Sequence, residues 1–292
     1  MHDALQKPPW IKVRAPTGER FVEMKGILDR WELNTVCAAS RCPNLPECWS
    51  SGNATFMILG NTCTRHCRFC AIPTANIGIP PDQDEPRRIA GAVAELGLEH
   101  AVITSVTRDD LRDQGASQFA EVVGAIRRAS PQTIIELLIP DMRGNRHLLT
   151  MMAESGPDVI GHNLETVRRL QGVVRDKRSD YDLSLKVLAT LHRQGTALTK
   201  SSLMLGLGER EEEVEVAMDD LLEAGVQMLT LGQYLKPTGC PLEVREYLSP
   251  DTFERLRKKA INAGFRSVVS GPLVRSSYRA HEALREMQEV RC

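Results

Sequence analysis

An α/β fold of the partial-barrel kind is predicted by three features of the chain. Short apolar runs alternate with amphipathic stretches through its middle, as a parallel barrel requires. Polar residues gather just beyond those runs, where barrels of this kind collect their reactive groups. The 292 residues suffice to bury one large core, a length at which α/β barrels commonly form a single domain.

The elements follow in order. Residues 1–34 contain Pro8, Pro9, Trp10 and a candidate helix over 18–31. Strands are predicted at 55–59, 101–104, 133–139, 158–161, 201–205 and 228–231. Amphipathic helices are predicted at 86–96, 117–129, 146–155, 181–193, 211–224 and 252–263. Six β-to-α units make a partial (β/α)6 barrel of the TIM type over 54–265, with an N-terminal extension, 1–53, and a C-terminal one, 266–292. Ser105 leaves the second strand, Asp141 the third, Asn163 and Glu165 the fourth, and Gln233 with Tyr234 the sixth. Side chains at such exits either hydrogen-bond a polar ligand or cap helices and turns. Lys200 precedes the core run of its strand and is either solvated or turned toward a ligand. In MLGLGE, Gly206 and Gly208 flank a strand exit and would let backbone approach a ligand. The run lacks the third glycine of a dinucleotide-binding loop, and Glu209 and Glu213 suit the positive end of a helix dipole.

Composition excludes some functions. Lysine plus arginine total 37 against 38 for aspartate plus glutamate, so no electrostatic case exists for a nucleic-acid binder. No apolar run reaches membrane-spanning length, so neither a membrane partner nor a span is expected. The start, MHDALQKPPWIKVRAP, lacks the blocks of a secretory signal and reads poorly as a transit peptide. The expectation is a cytoplasmic protein with reduced thiols, acting as a monomer.

Cysteine spacing carries the chemistry. Six of the eight cysteines form two triads: Cys37, Cys42 and Cys48 in C-x4-C-x5-C, and Cys63, Cys67 and Cys70 in C-x3-C-x2-C just after the first predicted strand. Such density suits iron-sulfur ligation, because one short loop wraps three sulfurs around a cluster. Structural zinc usually takes paired knuckles with four ligands, and each triad is one short. Disulfides are disfavoured by the expected compartment. His66, flanked by Arg65 and Arg68, is expected at the loop surface.

The run GNTCTRHCRFC resembles the signature of radical S-adenosylmethionine (SAM) enzymes. TVCAASRCPNLPECW, VITSVTRDDLRDQGA, HNLETV, TKSSLMLGLGE, LGQYLKPT and GPLVRSSY narrow the resemblance to lipoyl synthases, over nearly the whole stretch 35–278. The resemblance implies two 4Fe-4S clusters, one on Cys63, Cys67 and Cys70 that binds SAM, and an auxiliary one on Cys37, Cys42 and Cys48. Phe69 would lie near the adenine, and Ser105, Asn163, Glu165, Lys200, Gln233 and Tyr234 would contact SAM. A serine of RSSY would complete the auxiliary site, Ser276 preferred to Ser277, with Cys240 and Cys292 as further candidates. The implied reaction is radical insertion of two sulfurs, drawn from the auxiliary cluster, at C6 and C8 of a protein-bound octanoyl-lysine. No acid-base residue is required, and the chain offers no convincing hydrolytic constellation.

The implied partners are octanoylated carriers (lipoyl domains or a glycine-cleavage H-type protein), an electron donor such as ferredoxin or flavodoxin, and an iron-sulfur carrier for cluster repair. Residues 1–34 are expected to pack over the auxiliary cluster. The basic run 168–178 is either a docking face for an acidic carrier or an ordinary solvated surface. Two departures from the family pattern are His66 and the run Ala38, Ala39 and Ser40, where an acidic pair is common; neither removes a ligand. Biotin synthases and methylthiotransferases also pair a SAM cluster with an auxiliary one, but the C-x4-C-x5-C triad argues against them. A two-cluster electron carrier is the alternative from a different class, and it needs no barrel.

Overall fold

The structure, a computed structural model, describes residues 5–12, 18–278, 280 and 284. Cys292, one of the candidate ligands, lies outside them. In chain order the elements are α1 (Glu19–Arg30), α2 (Val36–Ala39), α3 (Leu45–Ser50), β1 (Thr55–Ile58), α4 (Glu85–Leu96), β2 (His100–Ser105), α5 (Ala116–Ala129), β3 (Ile134–Leu138) and α6 (Arg146–Glu154). There follow β4 (Val159–Gly161), α7 (Gln171–Val174), α8 (Tyr181–Gln194), β5 (Leu198–Leu205), α9 (Glu211–Glu223), β6 (Met228–Gln233), α10 (Pro250–Ala263) and β7 (Ser267–Gly271).

Local chemistry sets the boundaries. Asn145, Asp180 and Ser249 cap α6, α8 and α10 by accepting backbone N–H bonds, and Pro250 opens α10 where its missing N–H costs nothing. Gly97 and Gly195 close α4 and α8 in the left-handed conformation.

All seven strands are parallel and neighbours in sequence order, β1 to β7, which is the order of a barrel wall and not of a doubly wound sheet. The α/β partial barrel expected from the sequence is therefore present, with one strand more than six. β7 pairs with β6 from Ser267 to Gly271, beyond the boundary expected at 265. Its run, SVVSG, has only two apolar residues, which is why it was not predicted. Among the described residues β1 and β7 do not pair with each other, so the wall has an open seam between them.

Alternation along each strand separates two faces. The row Phe56, Ile103, Leu137 and Ile160 is apolar and belongs to the main core. The alternate row crosses the whole sheet as Met57, Thr104, Leu138, Gly161, Lys200, Met228 and Ser267. This is the barrel interior, and it holds charge. Lys200 Nζ donates to Glu136 Oε1 at 2.7 Å, and His100 Nε2 stands 3.4 Å from Glu136 Oε2. The strand between them makes room at Gly161, where an added Cβ would fall 2.9 Å from the Lys200 carbonyl oxygen. Lys200 is thus neither solvated nor at its strand's exit, because β5 starts three residues before the predicted 201. Below this layer Leu284 packs with Val159 and Met228 in a small separate core. Among the described residues no helix is long and apolar enough to cross a membrane.

Lys200→Met would strand a buried carboxylate and is expected to cost about 3 kcal/mol, whereas Lys200→Met with Glu136→Leu should recover most of that loss. The Lys200 ammonium and His100 hold the Glu136 carboxyl at about 2 against burial, below its ordinary 4.5. Its contribution is therefore present above pH 4.5 and lost as pH falls toward 2. Urea unfolding between pH 7 and pH 3 should show that acid loss in the parent and a smaller one in the double variant.

Candidate functional site

The second triad sits where β1 leaves the wall. Leu59 and Gly60 both adopt positive φ, 66° and 84°, and turn the chain out of the strand. The loop is then closed on itself, Cys63 N donating to the Pro73 carbonyl and Ala75 N to that of Cys63. Arg65, beside His66, is 4% exposed. Its guanidinium bonds both oxygens of Asp109, at 2.9 and 3.0 Å, and both of Asp141, including Nη2 to Oδ1 at 2.8 Å. These bonds join the loop to the exits of β2 and β3. The two carboxylates raise the Arg65 pKa further even though burial opposes them, and Arg65 in turn holds both below the usual carboxylate range.

Residues 173–179 close the loop from the other side. Arg68 N donates to the Val174 carbonyl, His66 N to Asp176 Oδ2 at 2.8 Å, and Arg178 Nη2 to the Thr64 carbonyl at 2.6 Å. Asp176 N donates to Cys67 Sγ at 3.3 Å, and Arg65 N to Cys63 Sγ at 3.4 Å. Backbone amides aimed at two sulfurs suit thiolate ligands and not apolar thiols. Burial pushes the Cys67 thiol up while the Asp176 amide and Arg175 pull it down, so binding a metal means displacing a proton. Cys70 is exposed and His66 stands at the surface, as expected. The basic run 168–178 is largely paired within the chain: Arg168 with Asp182 and over the Tyr181 ring, Arg169 with Glu213, Arg178 with Asp176 and Asp109.

The first triad lies at the seam. Met57 N donates to the Asn34 carbonyl and Thr35 bridges Phe56, so the chain covers the free edge of β1 before turning into α2. Cys37 lies in α2, Cys42 follows Arg41 at φ 51°, and Cys48 lies in α3. The C-terminal side meets them there: Asn44 Nδ2 donates to the Leu273 carbonyl, Tyr278 OH to Glu47 Oε1 at 2.8 Å, and Thr55 Oγ1 to Ser277 Oγ at 2.9 Å. One cavity is lined by Cys37, Cys42, Cys48, Arg275 and Ser277, with His100 and Val102 on the barrel side. Ser277 lines it and Ser276 is not among its lining residues. Helix α1 packs on α3, with Phe21 and Trp49 rings 5.4 Å apart, so this part of the N-terminal segment does cover the first triad. Cys240 is buried and lines no part of that cavity.

The expected SAM contacts divide. Glu165, at φ 71°, is half-buried and close enough to Cys67 to act on its charge. Burial raises the Glu165 carboxyl, opposed by Arg175 and a bond to Asn163, so those two residues and the triad share one region. Phe69 packs on the core that includes Leu164 and Leu203. Ser105 Oγ is buried with no hydrogen-bond partner among the described residues. Gln233 is fully engaged, donating to the Leu205, Tyr234 and Glu246 carbonyls and accepting from Leu248 N. Tyr234 OH donates to the Leu242 carbonyl. Both hold the loop after β6. Gly206 packs on that loop, since a Cβ there would meet Gln233 Nε2 at 2.1 Å, and Glu209 accepts the Gly206 and Leu207 amides. Sequence reading missed Arg65, Asp109, Asp176, Arg178 and His100. The first two stood inside the quoted motifs, but a charge in a loop reads as solvated until its partners are known.

A triad of thiols at the C-terminal end of the first strand of such a barrel defines a class. Residues 57–221 match the radical SAM superfamily, and methylornithine synthase (PylB) has the same fold at TM-score 0.57 and 13% identity, over 95% of this chain and 93% of that one. HydG, a maturase of [FeFe]-hydrogenase, gives 0.58 at 14% identity over 72% and 49%. Within that class the chain is 50% identical to a mitochondrial lipoyl synthase of Nematostella vectensis over 94% of each chain, and 51% identical to a lipoyl synthase of Halorhodospira halophila over 96% of this chain and 84% of the relative. The chain belongs to the lipoyl synthase family. Membership in the superfamily brings SAM and a 4Fe-4S cluster, and the second triad fits that cluster by its three thiols and the amides directed at them. Among the described residues no three Cys, His, Asp or Glu side chains close to the spacing of a single ion, whereas a cluster gives each sulfur its own iron.

Arg65→Lys keeps the charge but loses the fork that spans two carboxylates, and each lost charge-assisted bond is worth roughly 1.5–3 kcal/mol. We expect the variant to unfold at lower urea and to take up less iron on reconstitution, as read by chemical denaturation and iron analysis.

Proposed function

We propose that this protein inserts two sulfur atoms, at C6 and C8, into an octanoyl group carried on a lysine of a partner protein. The observation that carries this reading is the convergence of Cys37, Cys42, Cys48 and Ser277 on one cavity, a second donor set separate from the first. Three thiolates and a hydroxyl suit an auxiliary 4Fe-4S cluster, and the hydroxyl, a harder ligand than sulfur, marks the corner that opens most readily. When bound, the SAM cluster supplies hydrogen abstraction and the auxiliary cluster supplies sulfur.

The chain's own residues bind, orient and enclose. Cys63, Cys67 and Cys70 would hold the SAM-binding cluster on a loop fixed by Arg65, and Asn163 and Glu165 would receive polar groups of SAM beside it. Thr55 holds the Ser277 hydroxyl by hydrogen bond, so the fourth donor is aimed before anything binds. Asn44 and Glu47 tie the first triad to residues 273–278 and shut the seam against water. Burial of Arg275 beside Cys42 sets a positive charge against the thiolates. No side chain is required as acid or base for hydrogen abstraction.

The partners that complete this reading are octanoylated lipoyl domains or an H-type carrier, a ferredoxin- or flavodoxin-like donor and an iron-sulfur carrier that rebuilds the auxiliary cluster. Cysteines that must stay reduced to ligate clusters suit a reducing compartment such as the cytoplasm. Nothing in the reading requires a second copy of the chain, a membrane or nucleic acid.

After anaerobic reconstitution, an octanoyl-lysyl peptide incubated with the protein, SAM and dithionite should gain two sulfurs, with two 5′-deoxyadenosines released per product. Ser277→Ala should still cleave SAM but form less than a tenth of the product, and Ser276→Ala should retain most activity. An unchanged peptide in the presence of deoxyadenosine would redirect the search to another substrate.

A further inference from the structure

The segment after α7 has a feature that anchoring alone does not explain. Asp176 makes four side-chain hydrogen bonds: it accepts from His66 N at 2.8 Å, from Arg178 N at 2.9 Å and from the Arg178 guanidinium at 2.8 and 3.1 Å. Arg178 in turn reaches the Thr64 carbonyl and lies 3.3 Å from Asp109, which also bonds Arg65. Both ends of the Cys63–Cys67 turn are thereby fixed to one short stretch of backbone. What that stretch presents to the turn is a single N–H, that of Asp176, on Cys67 Sγ at 3.3 Å.

We propose that residues 174–178 are a strap that sets the reduction potential of the cluster held by Cys63, Cys67 and Cys70, through the Asp176 N–H···S bond that the Asp176 side chain holds in register. The inference rests on that triad binding a 4Fe-4S cluster. Reduction by one electron makes the sulfurs more negative, so an amide aimed at one of them favours the reduced state and raises the potential. Asp176 is a positioning residue here, since its carboxylate makes no bond to the sulfur and directs the N–H by fixing its own backbone to His66 and Arg178. Its negative charge acts in the opposite direction, disfavouring the reduced cluster, so a variant that removes charge and tether together gives a mixed answer. Two uncharged variants separate the terms. Asp176→Asn keeps an acceptor for the His66 and Arg178 amides, whereas Asp176→Ala has none.

The experiment is a dithionite redox titration of the full-length reconstituted protein and both variants, following by EPR the reduced-cluster signal that changes when SAM is added. At equal iron content, the reduced-to-oxidised ratio of Asp176→Ala at a fixed potential should lie about threefold below that of Asp176→Asn, or about 28 mV for one electron. Should Asp176→Ala lose its iron, Asp176→Ser, with a single hydroxyl acceptor, is compared with Asp176→Asn in the same way. Coincident midpoints in fully loaded variants would overturn the inference and leave the strap a purely structural tie. A parent protein with no SAM-responsive signal would overturn the cluster assignment itself, and the inference with it.

Discussion

Burying one guanidinium organises the catalytic end of this barrel. A charge as enclosed as that of Arg65 is tolerated only if carboxylates meet it, and Asp109 and Asp141 come from the exits of two different strands. The arrangement forces the exits of β1, β2 and β3 into one geometry. Its Coulombic gain is largely offset by the desolvation of three charged groups, so its value to the fold is mainly in specifying position. A ligand loop that must hold three sulfurs around one cluster needs that constraint more than it needs stability. The second tie, through Asp176 and Arg178, acts on the same loop from the β4 side, so the turn is restrained at both flanks while Cys70 stays exposed.

The first triad answers a different constraint. A wall of seven strands that does not close leaves two edges with unpaired backbone groups, an unfavourable state unless something covers them. The segment at Asn34 and Thr35 covers one edge by pairing with β1, and the turn after β7 meets the chain that follows. The same covering brings Cys37, Cys42 and Cys48 to Ser277. The charged layer of His100, Glu136 and Lys200 lies on the interior side of that cavity, through His100 itself. At that level the interior carries a paired charge cluster in place of an apolar layer.

Much of this was legible from residues alone. The barrel, six of its strands and the helices α4, α5, α6, α8, α9 and α10 follow from apolar periodicity, with boundaries that shift by a few residues, whereas the four-residue α7 is too short to show a period. Both cysteine triads follow from spacing. The seventh strand did not, because two valines between serines are too little apolar signal, and the sheet neighbour that stabilises SVVSG is distant in sequence. Polar residues at strand exits were legible as positions and not as roles. Gln233 spends its whole amide on neighbouring backbone, while Asn163 and Glu165 lie near the thiols, and no local pattern separates the two cases. Which of Ser276 and Ser277 faces the first triad depends on how one turn is oriented, and the Thr55 contact that holds Ser277 there is 222 positions away in sequence.

The seam has a consequence in time. Glu47 and Tyr278 are 231 positions apart, and Thr55 and Ser277 are 222. A ribosome adding roughly 5–20 residues per second needs on the order of ten to fifty seconds to pass from one partner to the other. For that interval the first three thiols are already made and their closing elements are not. They wait outside any finished pocket, open to oxidation and to whatever soft metal arrives first, so the surroundings of the nascent chain must protect them until the last strand docks.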